Sequence, residues 1–290
     1  MQATLRRLAK NALMLVLLGV FRPLRDLIRT LRRTHPVRMF TFHRVTDVCR
    51  DKITVSPTAF RERVAYIARH HDVVDLETAL ETIERKRRLR RPLAAITFDD
   101  AYRSVYEHAR PVLSDRRLPA SCFATTDLVG TDRRFAHDAS SPVRQFLAVM
   151  DWSQLAELRA SGWSIGAHTA THRRLSACGP DDYAREIVAP LVELRDRLGL
   201  AEVAIAYPYG GRTDINASAR EAIIRAGYRA CLGNYGGENF PGDGLFDLKR
   251  FNIGGEMETL AWRARVHGID LGALRPRWVS VKDGGSTVRS

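Results

Sequence analysis

The chain of 290 residues is long enough for one large domain or two small ones, and its 45% hydrophobic and 27% charged residues are ordinary for a soluble globular protein. Its formal net charge of +13 is not ordinary, and implies attraction to an anionic membrane surface, a nucleic acid or an acidic substrate. Nucleic acid is disfavoured because the arginine runs lack interleaved aromatics and no reader motif accompanies them. The cysteines Cys49, Cys122, Cys178 and Cys231 stand far apart with no Cys-x-x-Cys pair, which argues against a thiolate zinc site and a disulfide framework and fits a reducing compartment.

Residues 1–35 form a basic N-terminal segment. Arg6, Arg7 and Lys10 precede an apolar run from Ala12 to Phe21, and Arg22-Pro23-Leu24-Arg25 follows it at once. A membrane span needs about 20 apolar residues, roughly twice this run, and no small-residue cleavage site follows it. Leu24, Leu27, Ile28 and Leu31 then recur at helical spacing among Arg25, Arg29, Arg32 and Arg33, the pattern of a basic amphipathic helix. The expectation is a monotopic anchor on an anionic cytoplasmic leaflet. A helix packed on the domain or on a partner is one alternative. An uncleaved signal anchor facing the periplasm is another, disfavoured by the arginines after the run.

A globular domain is expected over residues 36–268. Val37 to Phe42 reads as a strand that delivers His43 at its end, and Ser56-Pro57 opens a helix reaching about His70. A short strand over 72–76 and a helix over 77–88 lead into the arginine run 85–91, read as a solvated helix end. Leu93 to Phe98 is an apolar strand that stops abruptly in Asp99-Asp100. A helix over 102–113, a strand over 119–126 and a polar loop over 130–150 follow, and the loop is expected to border a cleft. The pattern continues with a helix over 152–160 stopping at Gly162, a strand over 163–167 running into His168, a helix over 181–198, and a strand over 203–207 ending in Pro208-Tyr209-Gly210-Gly211. A helix over 215–226, strands over 228–232 and 247–253, the last carrying Arg250, and a helix over 257–267 complete the domain. Residues 269–290 form a tail, read as disordered around 282–286. Strand and helix alternate throughout, the signature of a parallel α/β domain.

Two constellations carry chemistry. Adjacent carboxylates at a strand end are costly unless a cation shares them or one takes up a proton, so a metal with a neighbouring general base would answer the cost. The bland alternative is one helix cap and one solvated side chain. His168 and His172, four apart, are expected on one face of a helical turn with their ring nitrogens able to meet at one ion. Both groups follow strand ends, which in parallel α/β folds share the face where ligands gather. His43 is a general acid or a satisfied core histidine. The Pro-Tyr-Gly-Gly turn can leave the Tyr209 N–H free to face a ligand.

Taken together, Thr97-Phe98-Asp99-Asp100, His168-Thr169-Ala170-Thr171-His172 and Tyr207-Pro208-Tyr209-Gly210, in that order, resemble the motifs of the polysaccharide deacetylase family, also called the NodB-homology or carbohydrate esterase family 4 fold. Phe42-His43-Arg44-Val45 looks like the subgroup related to poly-N-acetylglucosamine deacetylases. The resemblance covers roughly residues 36–268. It implies a distorted (β/α) barrel of about seven strands, and a metal-dependent hydrolase that removes acetyl groups from N-acetylated sugars. The basic N-terminus alone carries the further expectation that the sugar belongs to a surface glycan or lipid-linked saccharide close to a membrane. It further implies that Asp100, His168 and His172 bind the ion, most simply zinc, and that Asp99 is the base. The residues agree: amide hydrolysis needs an activated water, a held oxyanion and a proton for the amine, roles open to Asp99, the Tyr209 N–H and His43. Arg250 is expected to orient Asp99 and keep it ionised.

The sequence departs from the family pattern in three places. Ala101 stands where a glycine is usual, so a turn needing positive φ would be strained. Ala204 replaces an arginine, which is why Arg250 is invoked. The late Leu-x-His motif is missing, although His267 remains an alternative acid. Other readings are a catalytically silent carbohydrate-binding scaffold and a hydrolase of another C–N bond, such as a formyl or cyclic amide.

Overall fold

The computed structural model describes residues 11–270; Arg6, Arg7, Lys10 and the tail around 282–286 lie outside the described residues. In chain order the strands are β1 (Val37–Phe42), β2 (Arg44–Val45), β3 (Thr54–Val55), β4 (Asp72–Val73), β5 (Leu93–Phe98), β6 (Ser121–Ala124), β7 (Ser164–Ala167), β8 (Ile205–Ala206), β9 (Cys231–Leu232) and β10 (Arg250–Asn252). The main sheet runs β10-β1-β5-β6-β7-β8-β9, with every pairing parallel and β4 added on β5. A parallel bridge between Leu232 and Leu248, just before β10, brings the two ends of the sheet together. The result is a nearly closed, distorted (β/α) barrel of the expected kind.

Side chains alternate across the barrel wall. Val37, Met39, Leu93, Ala95, Phe123, Ala206 and Leu232 belong to one buried cluster, whereas Phe40, Phe42, Ile96, Phe98, Cys122 and Ile165 belong to the other, which includes Phe60, Val64 and Ile67 of the helix Pro57–His70. Gly166 fits because a Cβ there would lie 2.5 Å from the Phe123 ring and 2.7 Å from the Ala204 carbonyl.

Local chemistry sets the helix starts. The side chains of Ser56, Asp75, Asp151 and Asn216 each accept a bond from the backbone N–H three residues on, and Asp151 with Gln154 forms a reciprocal box. Several expected boundaries shift. The strand expected over 72–76 stops at Val73, since Asp75 caps the helix Leu76–Glu84; the arginine run then lies in a turn and loop rather than a helix end. The helix expected over 102–113 comprises a π turn at Val105–Ala109 and an α-helix at Arg110–Asp115, and 181–198 is likewise interrupted by a π turn at Ala184–Val188. The strands expected over 228–232 and 247–253 shrink to β9 and β10. Cys49, Cys122, Cys178 and Cys231 are all free thiols.

The N-terminal helix continues through a π turn at Leu17–Phe21 into an α-helix at Arg22–Arg32. It rests on the N-terminal end of the barrel through its charged face. Arg29 holds Glu238 with two bonds of 3.0 and 2.7 Å, Arg25 donates to the His267 carbonyl at 2.8 Å, and Glu238 also accepts from buried Arg38. Thr34, just past the helix, bridges to Leu89 ahead of β5.

Candidate active site

The register Phe42↔Phe98 sets the ends of β1 and β5 side by side, and the Asp99 N–H donates to the Phe42 carbonyl at 3.0 Å. His43 and the two aspartates therefore emerge together at the C-terminal rim. Asp99 is buried and held by Arg250 in a two-pronged pair, Nη1 to Oδ1 at 2.7 Å and Nη2 to Oδ2 at 2.8 Å. Arg250 is itself fixed by the Gly233 carbonyl and Thr97 Oγ1, and lies over the Phe123 ring. Burial pushes the Asp99 carboxyl up, but the Arg250 charge and hydrogen bonds outweigh it and hold its pKa below the usual value.

Asp100 points into a second cluster. One of its oxygens stands 3.4 Å from His168 Nε2 and 3.3 Å from His172 Nε2, and that buried oxygen has no hydrogen-bond partner among the described residues. One ligand atom from each of these residues lies within 4.8 Å of the others. His168 Nδ1 is 2.6 Å from the Ala206 carbonyl, which can only accept, so Nδ1 carries the proton and Nε2 offers its lone pair. Burial lowers the His168 pKa to about 4 despite the nearby Asp99 and Asp100, keeping the ring neutral. An orphaned carboxylate oxygen facing two imidazoles, one with a fixed tautomer, fits a divalent cation.

The histidine pair is not on a helical turn as expected. Thr169 and His172 have φ of 61° and 65°, and the Thr169 hydroxyl accepts from the His172 N–H, so a tight non-helical turn folds His172 back beside His168. Asp100, Ala101 and Tyr209 also have positive φ, at 72°, 51° and 64°; outside the site only Arg33, Lys86 and Arg117 do so among the described non-glycine residues. Strained backbone is thus concentrated where the site's side chains converge.

These groups open into a cavity of about 340 Å³ lined by His43, Asp99, Asp100, His168, His172 and Tyr209. Its wall also includes His137, Asn234 and Asn252, which sequence reasoning missed. His43 Nδ1 and Asn234 Oδ1 are buried there without hydrogen-bond partners among the described residues. Tyr209 is 54% exposed, packs beside His172 and lies under Arg174. Its N–H donates to no group within the described residues. Gly210 is required in this turn, at φ 68°, because a Cβ would meet Asn234 at 2.4 Å.

His137 comes from the polar 130–150 loop. Its Nε2–H donates a 2.9 Å bond to the Tyr102 hydroxyl, which spends its own proton on Asp138; Asp138 pairs with buried Arg44 at 2.6 Å. A larger recess of about 490 Å³ lies beside β2 and β3, and none of the paired carboxylates or histidines lines it. His267, the alternative acid, lies at the opposite end of the barrel. It bonds to Tyr66, and burial with the charges of Arg22 and its neighbours pushes its pKa down to about 2.

A parallel barrel whose C-terminal rim joins a buried Asp–Arg pair to an Asp-His-His cluster carries its reactive groups on the face where barrels of this kind gather ligands and chemistry. The chain belongs to the polysaccharide deacetylase family, whose model matches residues 86–231. It is 26% identical over 172 residues to poly-beta-1,6-N-acetyl-D-glucosamine N-deacetylase of Staphylococcus aureus, a match covering 56% of this chain and 55% of that protein. A Bacillus subtilis protein provisionally described as a polysaccharide deacetylase is 23% identical over 174 residues, covering 60% and 56%. The matches thus span little more than half the length of these relatives. Among solved structures, IcaB from Ammonifex degensii superposes with a TM-score of 0.67 at 24% identity, over 80% of this chain and 97% of that one. A de-N-acetylase from Aggregatibacter actinomycetemcomitans gives 0.64 at 17%, over 77% and 96%.

Proposed function

We propose that the protein is a metal-dependent N-deacetylase acting on an N-acetylated amino sugar of a glycan, releasing acetate and a free amine. The observation that carries this reading is the Asp-His-His cluster beside the Arg250-held carboxylate of Asp99, in one cavity of a polysaccharide deacetylase barrel. Asp100, His168 and His172 would hold a divalent cation, most simply zinc, since two imidazoles and a carboxylate form a common catalytic set. When bound, the ion would polarise the acetamide carbonyl and acidify a water.

The chain's own residues would do the rest. Asp99, ionised and oriented by Arg250, accepts a proton from the attacking water. The unengaged Tyr209 N–H offers a donor to the developing oxyanion. His43 presents a buried ring nitrogen with no partner among the described residues, and donates a proton to the departing amine nitrogen. The exposed Tyr209 ring and the orphaned Asn234 Oδ1 supply a flat apolar surface and a polar contact for a sugar. The named activity of the Staphylococcus aureus relative makes a poly-N-acetylglucosamine chain the first substrate to try.

The test is acetate release by the purified chain from N-acetylglucosamine oligomers of β-1,6 and β-1,4 linkage, after chelation and after restoring zinc. Acetate that disappears with chelation and returns with zinc is expected. Acetate release that survives complete metal removal would overturn the metal requirement, and none from any N-acetylated glycan by the metal-loaded chain would overturn the substrate class.

A further inference from the structure

An amphipathic helix packed on a globular domain ordinarily buries its apolar face. Over Arg22–Arg32 the N-terminal helix does the reverse, burying no residue, although Met14, ahead of that stretch in the chain, is covered. Arg25 and Arg29 face the barrel, while Leu13, Val16, Val20, Leu24, Leu27 and Leu31 form a stripe at three- and four-residue spacing on the opposite side. Val20 is 69% exposed and Leu31 75%. Contiguous apolar patches on this scale mark interaction sites.

We infer that this stripe is a docking surface for an anionic lipid bilayer, with the helix lying in the plane of the interface. No helix among the described residues is long and apolar enough to cross a membrane. Charge chooses among occupants. Arg32 and Arg33 border the stripe with no ion pair among the described residues, and residues 11–33 contain five arginines against Asp26 alone. Residues 1–10 add Arg6, Arg7 and Lys10 with no acid, and residues 271–290 are basic on balance, so neither of the chain's own ends complements the surface. A second copy would set one arginine-rich helix against another. Anionic headgroups neutralise the arginines while the acyl region takes the leucines and valines.

The placement fixes an orientation. The helix is held by groups at the N-terminal end of the barrel, Glu238, the His267 carbonyl and Leu89, whereas the cavity opens at the C-terminal rim. The six residues of β1 alone separate those ends by roughly 20 Å at about 3.3 Å per residue. A chain docked through the stripe therefore turns its active site away from the bilayer. On the deacetylase reading above, its substrate is a sugar extended into solution rather than one joined directly to a lipid headgroup.

The experiment is flotation of the full chain with phosphatidylcholine vesicles, with and without phosphatidylglycerol, beside the variant V20E/L24E/L27E. The wild-type chain is expected to float with the anionic vesicles and to dissociate as salt rises. The variant is expected to lose about tenfold or more in partitioning, with acetate release from soluble oligomers unchanged. A wild-type chain that does not float with anionic vesicles, or a variant that floats equally well, overturns the proposal. A dimer by light scattering that the same substitutions disperse, without vesicle binding, assigns the stripe to a second copy and also overturns it. Equal rates by vesicle-bound protein on a soluble oligomer and on N-acetylglucosamine joined directly to lipid would overturn the orientation. Flotation without acetate from either substrate would leave the docking surface standing and refute the deacetylase reading.

Discussion

Asp100 and Ala101 both sit in the left-handed region, at φ 72° and 51°, and Ala101 pays a steric cost there that glycine would not. Ala101→Gly is therefore predicted to stabilise the fold by roughly 0.5–1 kcal/mol in urea unfolding, the steric relief less the added chain entropy; a loss of stability would show that Cβ contacts at this buried position dominate. Asp99→Asn is predicted to lower turnover by about 10²–10⁴-fold while leaving metal content unchanged, and His168→Ala to lose both. Equilibrium dialysis separates them, and near-normal turnover in Asp99→Asn would refute the base assignment. The paired aspartates were legible because two adjacent carboxylates at a strand end are costly without a cation or a proton to share, and the histidine pair at another strand end tipped the choice away from a helix cap and a solvated side chain. The Arg250 contact was anticipated from the missing arginine at Ala204, and it forms across β1 with Asp99. Asn252 had a usable signal, standing two residues after Arg250 on the same strand face, whereas Asn234 reaches the cavity only through the turn packed against Gly210.

At the level of elements, the apolar runs located the barrel strands well but overran several ends, because caps and turns compete for the terminal residues. The His168–His172 spacing shows the limit of periodicity. Four-residue separation brought the rings together as expected, yet through positive φ at Thr169 and His172, which spacing does not encode. The amphipathic pattern of the N-terminal helix was equally plain, but not which face would meet the domain. That depended on Glu238 and the His267 carbonyl, both more than 200 residues away in the chain. Gly166 links an element to the chemistry. Gly166→Ala would press on Phe123, which supports Arg250, and is predicted to cost about 1–3 kcal/mol in thermal or urea unfolding and to reduce turnover. Unchanged stability and rate would mean that the Phe123 ring moves without consequence for Arg250.

Across the whole molecule, the excess of positive charge is concentrated in part at the N-terminal end of the barrel, where His70 and His267 lie among arginines. Burial, reinforced by Arg22 and its neighbours, depresses their pKa values to about 4 and about 2. The unfolded chain takes up protons on these rings below about pH 6.5 while the folded chain does not, so stability is full above that pH and declines as pH falls toward 4. The thermal midpoint is predicted to drop between pH 7 and about 5, and a constant midpoint would indicate that both rings protonate in the folded state. The barrel's closure has a consequence in time. The three positions of the Asp-His-His cluster are all synthesised by residue 172, but Arg250 arrives with the strand that joins the two ends of the sheet. A nascent chain can thus hold its cluster residues before it can orient its base, so the last of the described strands to be made is also the one that completes the site.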